Sequence, residues 1–160
     1  MIKDSGNRRE FATGAVRDIQ EGKGRCDLLP LDVVGAVLYD DTFSSLAEFI
    51  ETRDPISLRK ALSAALNKPN MDGKLMFNGC MPTMFLEVSV HFEEGAVKYG
   101  IDNWRKGLPI NCYIDSAVRH YLKWIRGDED ERHDRAFVWN VICCMWEVSR
   151  QRRTEGSVAV

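Results

Sequence analysis

The sequence has no run of about 18 apolar residues, the length that a membrane-spanning helix needs. It also lacks a strong excess of one charge, since 24 acidic and 22 basic side chains give a formal charge of −2. Such a balance gives no net attraction to nucleic acid or to an anionic membrane, so any affinity for phosphates must come from a local cluster of cations. We therefore expect no membrane partner.

The five cysteines give no disulfide framework, because their number is odd and none of them occurs at CxxC spacing. The N-terminal residues, MIKDSGNRRE, carry charge where a secretory signal peptide needs an apolar stretch. These features predict a cytoplasmic protein, which would lie in the host cytoplasm if a phage encodes it.

Helical periodicity dominates the 160 residues, of which 44% are apolar, enough for the core of one domain. It predicts helices over 31–39, within 41–54 and 55–68, and over 83–99, 112–126 and 130–149. Thr83 is the expected N-cap of the fourth helix, and Gly100 and Gly127 follow the ends of the fourth and fifth. No segment shows the period-two alternation of a strand. The sequence therefore predicts an all-α helical bundle.

Three segments differ in composition: a glycine-rich N-terminal arm (1–30), the all-α domain (31–150) and a flexible tail (151–160). The arm alternates glycines with cations, namely Gly14, Gly22 and Gly24 with Arg17, Lys23 and Arg25. Glycines let the backbone approach a phosphate closely, and the cations supply the matching charge. The arm is therefore a predicted phosphate-binding loop, with an ordinary flexible arm as the alternative.

Four polar side chains share one face of the predicted helix 83–99, because Glu87, His91, Glu94 and Lys98 follow one another at helical spacing. This line either faces water or lines a cleft. All three histidines of the chain, His91, His120 and His133, lie in three successive predicted helices. Histidines in adjacent helices of a bundle indicate an inward polar centre.

The predicted helices that contain His120 and His133 also carry amide and charged side chains. Asn140 lies within an apolar run, where an unsatisfied buried amide costs roughly 1–3 kcal/mol, so we expect it to have a partner. Carboxylates suit Mg²⁺, and Mn²⁺ also accepts imidazole. The predicted metal ligands are Glu87, His91, Glu94, His133 and Asp134. With Lys98, Arg119 and Lys123 nearby, metals and cations together predict a polyphosphate site.

Two blocks of the sequence carry a family resemblance. They are FATGAVRDIQEGKGRCDLLPLDVV and LEVSVHFEEGAVKYGIDNWRKGLPINCYIDSAVRHYLKWIRGDEDERHDRAFVWN, which span residues 11–34 and 86–140. Together they look like the phage and bacterial dATP/dGTP diphosphohydrolase family, relatives of the MazG-like all-α nucleotide pyrophosphohydrolases. The resemblance implies a MazG-like bundle, a homodimer or homotetramer, and Mg²⁺- or Mn²⁺-dependent cleavage of a (deoxy)purine nucleoside triphosphate between the α and β phosphates.

The resemblance also implies roles for the predicted site residues. The predicted catalytic residues are Glu87, Glu94 and His120. The predicted substrate-binding residues are Arg17, Lys23, Arg25, Lys98, Asn103, Trp104, Arg119, Lys123 and Asn140. Trp104 either stacks on the base or belongs to the core. MazG-like enzymes typically hold metal with an ExxE helix and an ExxD helix, from which this chain departs.

Two other functions fit parts of the sequence. The dipeptide His133-Asp134 is typical of HD-domain phosphohydrolases, which would release triphosphate and nucleoside. A non-catalytic phage protein that binds nucleic acid through the basic arm is the alternative from a different class, and its cations would be Arg8, Arg9, Arg17, Lys23 and Arg25.

Overall fold

The computed structural model describes residues 6–158, and the side chains as far as residue 156. Its α-helices are α1 (Leu31–Leu38), α2 (Asp41–Thr52), α3 (Pro55–Asn67), α4 (Met81–Tyr99), α5 (Ile110–Arg126) and α6 (His133–Val158). Short 3-10 turns occupy Cys26–Leu28, Met76–Gly79 and Asn103–Lys106. The predicted all-α class is confirmed. In residues 6–158 no helix combines the length and apolar character that a membrane crossing requires.

Capping residues set several helix ends as the sequence predicts. The Asp54 carboxylate accepts a hydrogen bond from the Ile56 amide at 3.0 Å, and Pro55 occupies the first turn, where its missing N–H costs nothing. Gly127 ends α5 in the left-handed region, at φ 87°, where a side chain is disfavoured. The break between α2 and α3 therefore falls near Asp54-Pro55, as expected.

The expectation of no strand is wrong for the N-terminal arm. Strands β1 (Arg8–Glu10) and β2 (Val16–Asp18) form an antiparallel hairpin in which Arg9 pairs with Arg17. Each strand has only three residues, too few to show a period of two. The glycine-rich arm thus contains a short polar hairpin.

Four predicted helix boundaries are also wrong, and one of them is the start of α5, which is at Ile110 and not at residue 112. Helix α4 begins at Met81 and not after a Thr83 N-cap, since Pro82 is tolerated in a first turn. Helix α6 begins at His133, which leaves residues 128–132 in a loop, and it continues to Val158 through most of the segment predicted as a flexible tail. Residues 1–5 and 159–160 lie outside the described part of the chain. The three segment boundaries otherwise stay predictions.

The core lies between the α2–α3 and α5–α6 pairs. Its largest fully buried side chains include Phe43 and Phe49 of α2, Tyr121 of α5 and Phe137 of α6. The buried Tyr121 hydroxyl donates to the Asp40 carboxylate and accepts from the Thr42 hydroxyl, both at 2.9 Å. Because the hydroxyl is satisfied, burying this ring costs no hydrogen bond.

Side chains of the helical domain hold the arm in place. The Asn103 amide makes two hydrogen bonds of 2.9 Å with the backbone N–H and C=O of Val16. The buried Asp115 carboxylate accepts from the Gln20 side chain at 3.0 Å and from the Cys26 amide at 2.7 Å. These contacts fix the hairpin to the Asn103–Lys106 turn and the loop after the hairpin to α5.

Candidate functional site

A cavity of about 620 Å³ opens between the arm, α4, the Asn103–Lys106 turn, α5 and the start of α6. This volume falls in the range of about 300–1,000 Å³ that is usual for small-molecule sites. Five cationic side chains line it: Arg9, Arg17, Lys23, Arg119 and Lys123. Aromatic and histidine side chains also line it, namely His91, Phe92, Tyr99, Trp104, His120 and Trp139. The cavity therefore offers both flat apolar surfaces and positive charge.

The aromatic wall consists of rings that support one another. Phe92 packs against Trp104 at a centroid distance of 5.4 Å and against Trp139 at 5.8 Å. Trp104 also packs on Trp146 at 5.0 Å, so it lines the cavity and belongs to the core. The buried Trp139 Nε1 has no hydrogen-bond partner in the described part of the chain. Such a wall is suited to stacking a flat ligand.

Arg17 crosses the cavity from β2 to α6. Its guanidinium donates to the Cys112 carbonyl at 2.9 Å and to Asn140 Oδ1 at 2.7 Å, and it lies over the Trp139 ring at 5.8 Å. The Asn140 amide in turn donates to the Ala136 carbonyl at 2.8 Å. Asn140 is 2% exposed, and these contacts supply the partners that its burial requires.

Lys98 is neutralised locally by an ion pair. Its ammonium lies 2.8 Å from Asp18, which also pairs with Arg8 at 2.9 Å. Burial lowers the pKa of Lys98, but the hydrogen bonds to Asp18 and Tyr99 and the attraction of both groups together outweigh it, so the net shift is upward. The predicted phosphate contact from Lys98 therefore requires a rearranged Asp18.

Lys23 and Arg119 form the cationic side of the cavity. The Arg119 guanidinium donates to the carbonyls of Lys23 and Gly24, both at 3.2 Å, and pairs with Asp115. Burial lowers the pKa of Lys23, and repulsion from Arg119 and other cations adds to this shift. Within residues 6–156 Lys23 forms no ion pair, so its charge is available to an anion.

A histidine pair lies beside these cations. His120 Nδ1 on α5 is 3.0 Å from His133 Nδ1 at the start of α6, and His133 Nε2 is 2.7 Å from Asp130. Burial lowers the pKa of His120 well below its usual value and raises the pKa of Glu131. His120 is therefore neutral near pH 7, the form that binds metal.

Acidic and histidine groups able to hold a metal ion occur twice in residues 6–156. One group is His120, Glu131 and His133, and the other is Asp128, Asp130 and His133; in each, the ligand atoms lie within 4.8 Å of one another. Both groups contain the predicted ligand His133, and neither contains the other four predicted ligands.

The other predicted ligands have different neighbours. The Glu87 carboxylate accepts from Arg135 Nε at 2.9 Å and Arg132 Nη1 at 3.2 Å, and the Arg135 hydrogen bond lowers its pKa. Asp134 pairs with Arg132 at 2.8 Å. Burial lowers the pKa of His91 to about 4, although the nearby Glu94 carboxylate opposes this shift. The structure thus does not bring these residues together as one ligand set, and their assignment stays a prediction.

Sequence reasoning missed two groups of site residues. Asp130 and Glu131 lie in the loop before α6, whereas the sequence places them inside a helix. The available indication was an acidic run that one residue, Arg132, separates from His133. Gln20 and Asp115 join the arm to α5, and no local pattern indicates this contact. Arg25, by contrast, pairs with Asp27 at 2.6 Å and does not line the cavity.

The fold and the site define an all-α protein with a cavity lined by aromatic and cationic side chains. The family model described as "dATP/dGTP diphosphohydrolase, N-terminal" matches residues 65–156. This match covers more than half of the 160 residues, so the chain belongs to that family and the resemblance is confirmed. No curated protein and no solved structure matches the chain.

Proposed function

We propose that this chain is a divalent-metal-dependent (deoxy)nucleoside triphosphate pyrophosphohydrolase that converts dGTP or dATP to the monophosphate and pyrophosphate. The family membership supports a nucleotide substrate. The observation that carries the proposal is the cavity, in which an aromatic wall and a set of cations share one space of about 620 Å³. A nucleoside triphosphate presents a flat base and a polyanion at its two ends, which this arrangement complements.

The aromatic wall is the proposed base site, where Trp104 and Trp139 stack the purine. Asn103 and Asn140 are engaged by Val16 and Arg17, so their proposed role is to position the hairpin and the guanidinium. Neither amide is free to read the base while these bonds persist.

The cations Arg17, Lys23, Arg119 and Lys123 are the proposed phosphate ligands. Lys23 and Arg119 lie together where the arm meets α5, and Lys123 is 3.5 Å from Asp130 at the metal-binding groups. Preorganised cations stabilise the charge that develops on the departing pyrophosphate. The other two predicted phosphate contacts, Lys98 and Arg25, pair with Asp18 and Asp27 and are not part of the proposed phosphate site.

A bound Mg²⁺ or Mn²⁺ would supply charge neutralisation and an acidified water. His120 lines the cavity as a neutral imidazole, which is able to donate or accept a hydrogen bond at the reacting end of the substrate. Glu87 and Glu94 keep their predicted catalytic roles as part of the proposal, although Glu87 is held by two arginines.

The test is a product analysis with the eight common nucleoside triphosphates, each with Mg²⁺ and with Mn²⁺. We expect dGTP or dATP to give monophosphate and pyrophosphate in equal amounts. Release of triphosphate and nucleoside would instead identify an HD-type reaction, and no turnover under any condition would reject the enzymatic proposal.

Contacts within residues 6–156 bear on both alternatives, and His133 of the HD dipeptide belongs to both metal-binding groups. Asp134 of the HD dipeptide pairs with Arg132 and belongs to neither metal-binding group. In the arm, Arg8 and Arg25 pair with Asp18 and Asp27, which reduces the charge available to nucleic acid. A mobility-shift assay at physiological salt tests the binding alternative, for which we expect no shift.

A further inference from the structure

We infer that His120, Glu131 and His133 form a binding site for a divalent transition-metal ion such as Mn²⁺ or Co²⁺, in preference to Mg²⁺. This inference deepens the proposed function, since His120 and Glu131 line the same cavity. Metal binding is nevertheless measurable without nucleotide, so the two conclusions can fail separately.

The distance between the imidazoles fits two ligands of one ion. His120 Nδ1 and His133 Nδ1 are 3.0 Å apart. Two nitrogens that each lie about 2.0–2.1 Å from an ion and subtend a right angle there are about 3 Å apart. The atoms already have the separation of adjacent ligands, and Glu131 brings a carboxylate oxygen within 4.8 Å of a ring nitrogen of each histidine.

The second nitrogen of His133 has the support that metal-bound histidines usually have. His133 Nε2 is 2.7 Å from Asp130 Oδ1, and the His133 side chain is fully buried. A carboxylate on the far nitrogen directs the ring and keeps the near nitrogen available as a ligand. Asp130 is therefore a positioning residue, and its own contact with Lys123 at 3.5 Å keeps it at the edge of the cavity.

The donor set decides which metal is favoured. Mg²⁺ prefers oxygen ligands and keeps much of its water, whereas imidazole suits Mn²⁺, Co²⁺ and the later ions. The alternative group of Asp128, Asp130 and His133 is richer in oxygen, but Asp128 is held by Arg126 at 2.6 Å. The group with two imidazoles is the one whose side chains are not already held by a cation.

The experiment uses the full chain after chelator treatment, titrated with Mn²⁺ and Mg²⁺ by calorimetry and with Co²⁺ by visible absorption. We expect one Co²⁺ site with nitrogen-containing ligands, and binding of Mn²⁺ at least about tenfold tighter than of Mg²⁺. Equal affinity for Mn²⁺ and Mg²⁺, or an absorption spectrum of fully hydrated Co²⁺, would overturn the inference.

Variants separate this site from the ligand set predicted by sequence. Glu131→Gln and His120→Ala should weaken Co²⁺ binding by at least about tenfold, and Asp130→Asn by about 10–100-fold. Glu87→Gln tests the competing ligand set and should leave Co²⁺ binding unchanged, because Arg132 and Arg135 hold the Glu87 carboxylate. Glu48→Gln is the matched control, because Glu48 lies on α2 and pairs with Lys60. Circular dichroism checks the fold of each variant, and Glu131→Gln changes only a loop side chain.

The opposite pattern, in which Glu87→Gln loses Co²⁺ and Glu131→Gln keeps it, would overturn this inference and favour the earlier ligand set. Metal binding as expected without any nucleotide turnover would leave the site standing and reject the proposed function. Nucleotide turnover without preferential transition-metal binding would support the proposed function and reject this metal site.

Discussion

At the scale of single residues, Asn140 shows how a buried amide organises the cavity. Its Oδ1 accepts from Arg17 at 2.7 Å while its amide donates to Ala136. The sequence predicts that this amide has a partner, because it lies in an apolar run. It does not predict that the partner is Arg17, 123 positions away, since that contact depends on how the hairpin docks.

We predict that Asn140→Ala lowers the free energy of unfolding by about 1–3 kcal/mol, because it removes the acceptor for the half-buried Arg17 guanidinium. It should also raise KM by releasing Arg17. Urea denaturation and steady-state kinetics measure the two effects. Asn111→Ala, an exposed change at the start of α5, is the control and should change neither quantity. Equal behaviour of the two variants would contradict the positioning role.

Burial of His91 predicts a pH-dependent stability. Its pKa falls from the usual 6.5 to about 4, chiefly through desolvation. Below pH 6.5 His91 binds a proton in the unfolded chain, whereas in the folded protein it stays neutral until about pH 4. The contribution of neutral His91 to the free energy of unfolding is therefore complete above pH 6.5, and it is lost as the pH falls toward 4.

We predict that unfolding free energies measured at about pH 7, 6 and 5 decline less steeply in His91→Gln than in wild type, by up to about 1.4 kcal/mol per pH unit. The variant should keep some slope, because the pKa of His120 is lowered in the same direction. Parallel pH curves for the two proteins would show that His91 is not desolvated as described.

At the scale of elements, the arm is more ordered than its glycines suggest. The hairpin contacts Asn103, and the following loop contacts Asp115. The sequence predicts the cations and glycines but not the hairpin, because its strands have three residues each. The sequence also places the start of α6 too early. For that reason it does not predict that Asp130 and Glu131 lie in a loop beside His133.

Two arginines of the arm allow a matched test of phosphate binding. Arg17 lines the cavity, whereas the exposed Arg25 pairs with Asp27 outside it. We predict that Arg17→Ala raises KM for the triphosphate by at least about tenfold, as expected for the loss of a charge-assisted contact, and that Arg25→Ala changes it less than about twofold. Initial rates over a range of substrate concentrations measure both. Equal effects on KM would indicate that the overall charge of the arm, and not Arg17 itself, binds the phosphates.

At the scale of the whole molecule, the all-α class was predictable because long helices repeat their apolar pattern many times. The arrangement of the helices was not, since no local pattern states that Glu87 of α4 contacts Arg135 of α6. The cavity likewise depends on elements that are distant in sequence, from the arm to the start of α6. The sequence therefore predicts which residue types the site contains, and only the fold defines which of these residues are in contact.

Exposed apolar side chains on α4 bear on the expected oligomer. Leu86 and Val97 are 72% and 86% exposed, and their spacing of about three helical turns places them on one face. Ile101, 83% exposed, follows that face and also lines the cavity. The exposed Glu93 lies between Leu86 and Val97 on this face and interrupts the apolar surface. Exposed apolar side chains are typical of interaction sites, and a second copy covering this face would also narrow the cavity mouth.

We predict a homodimer or homotetramer that uses this face of α4. Light scattering at micromolar concentration should give two or four times the monomer mass for wild type and the monomer mass for Leu86→Glu and Val97→Glu, because a buried unpaired carboxylate opposes association. Val37→Glu, which changes an apolar residue of α1 that is 70% exposed, should leave the mass unchanged. A monomeric wild type would reject the oligomer, and dissociation caused by Val37→Glu alone would move the interface from α4 to α1.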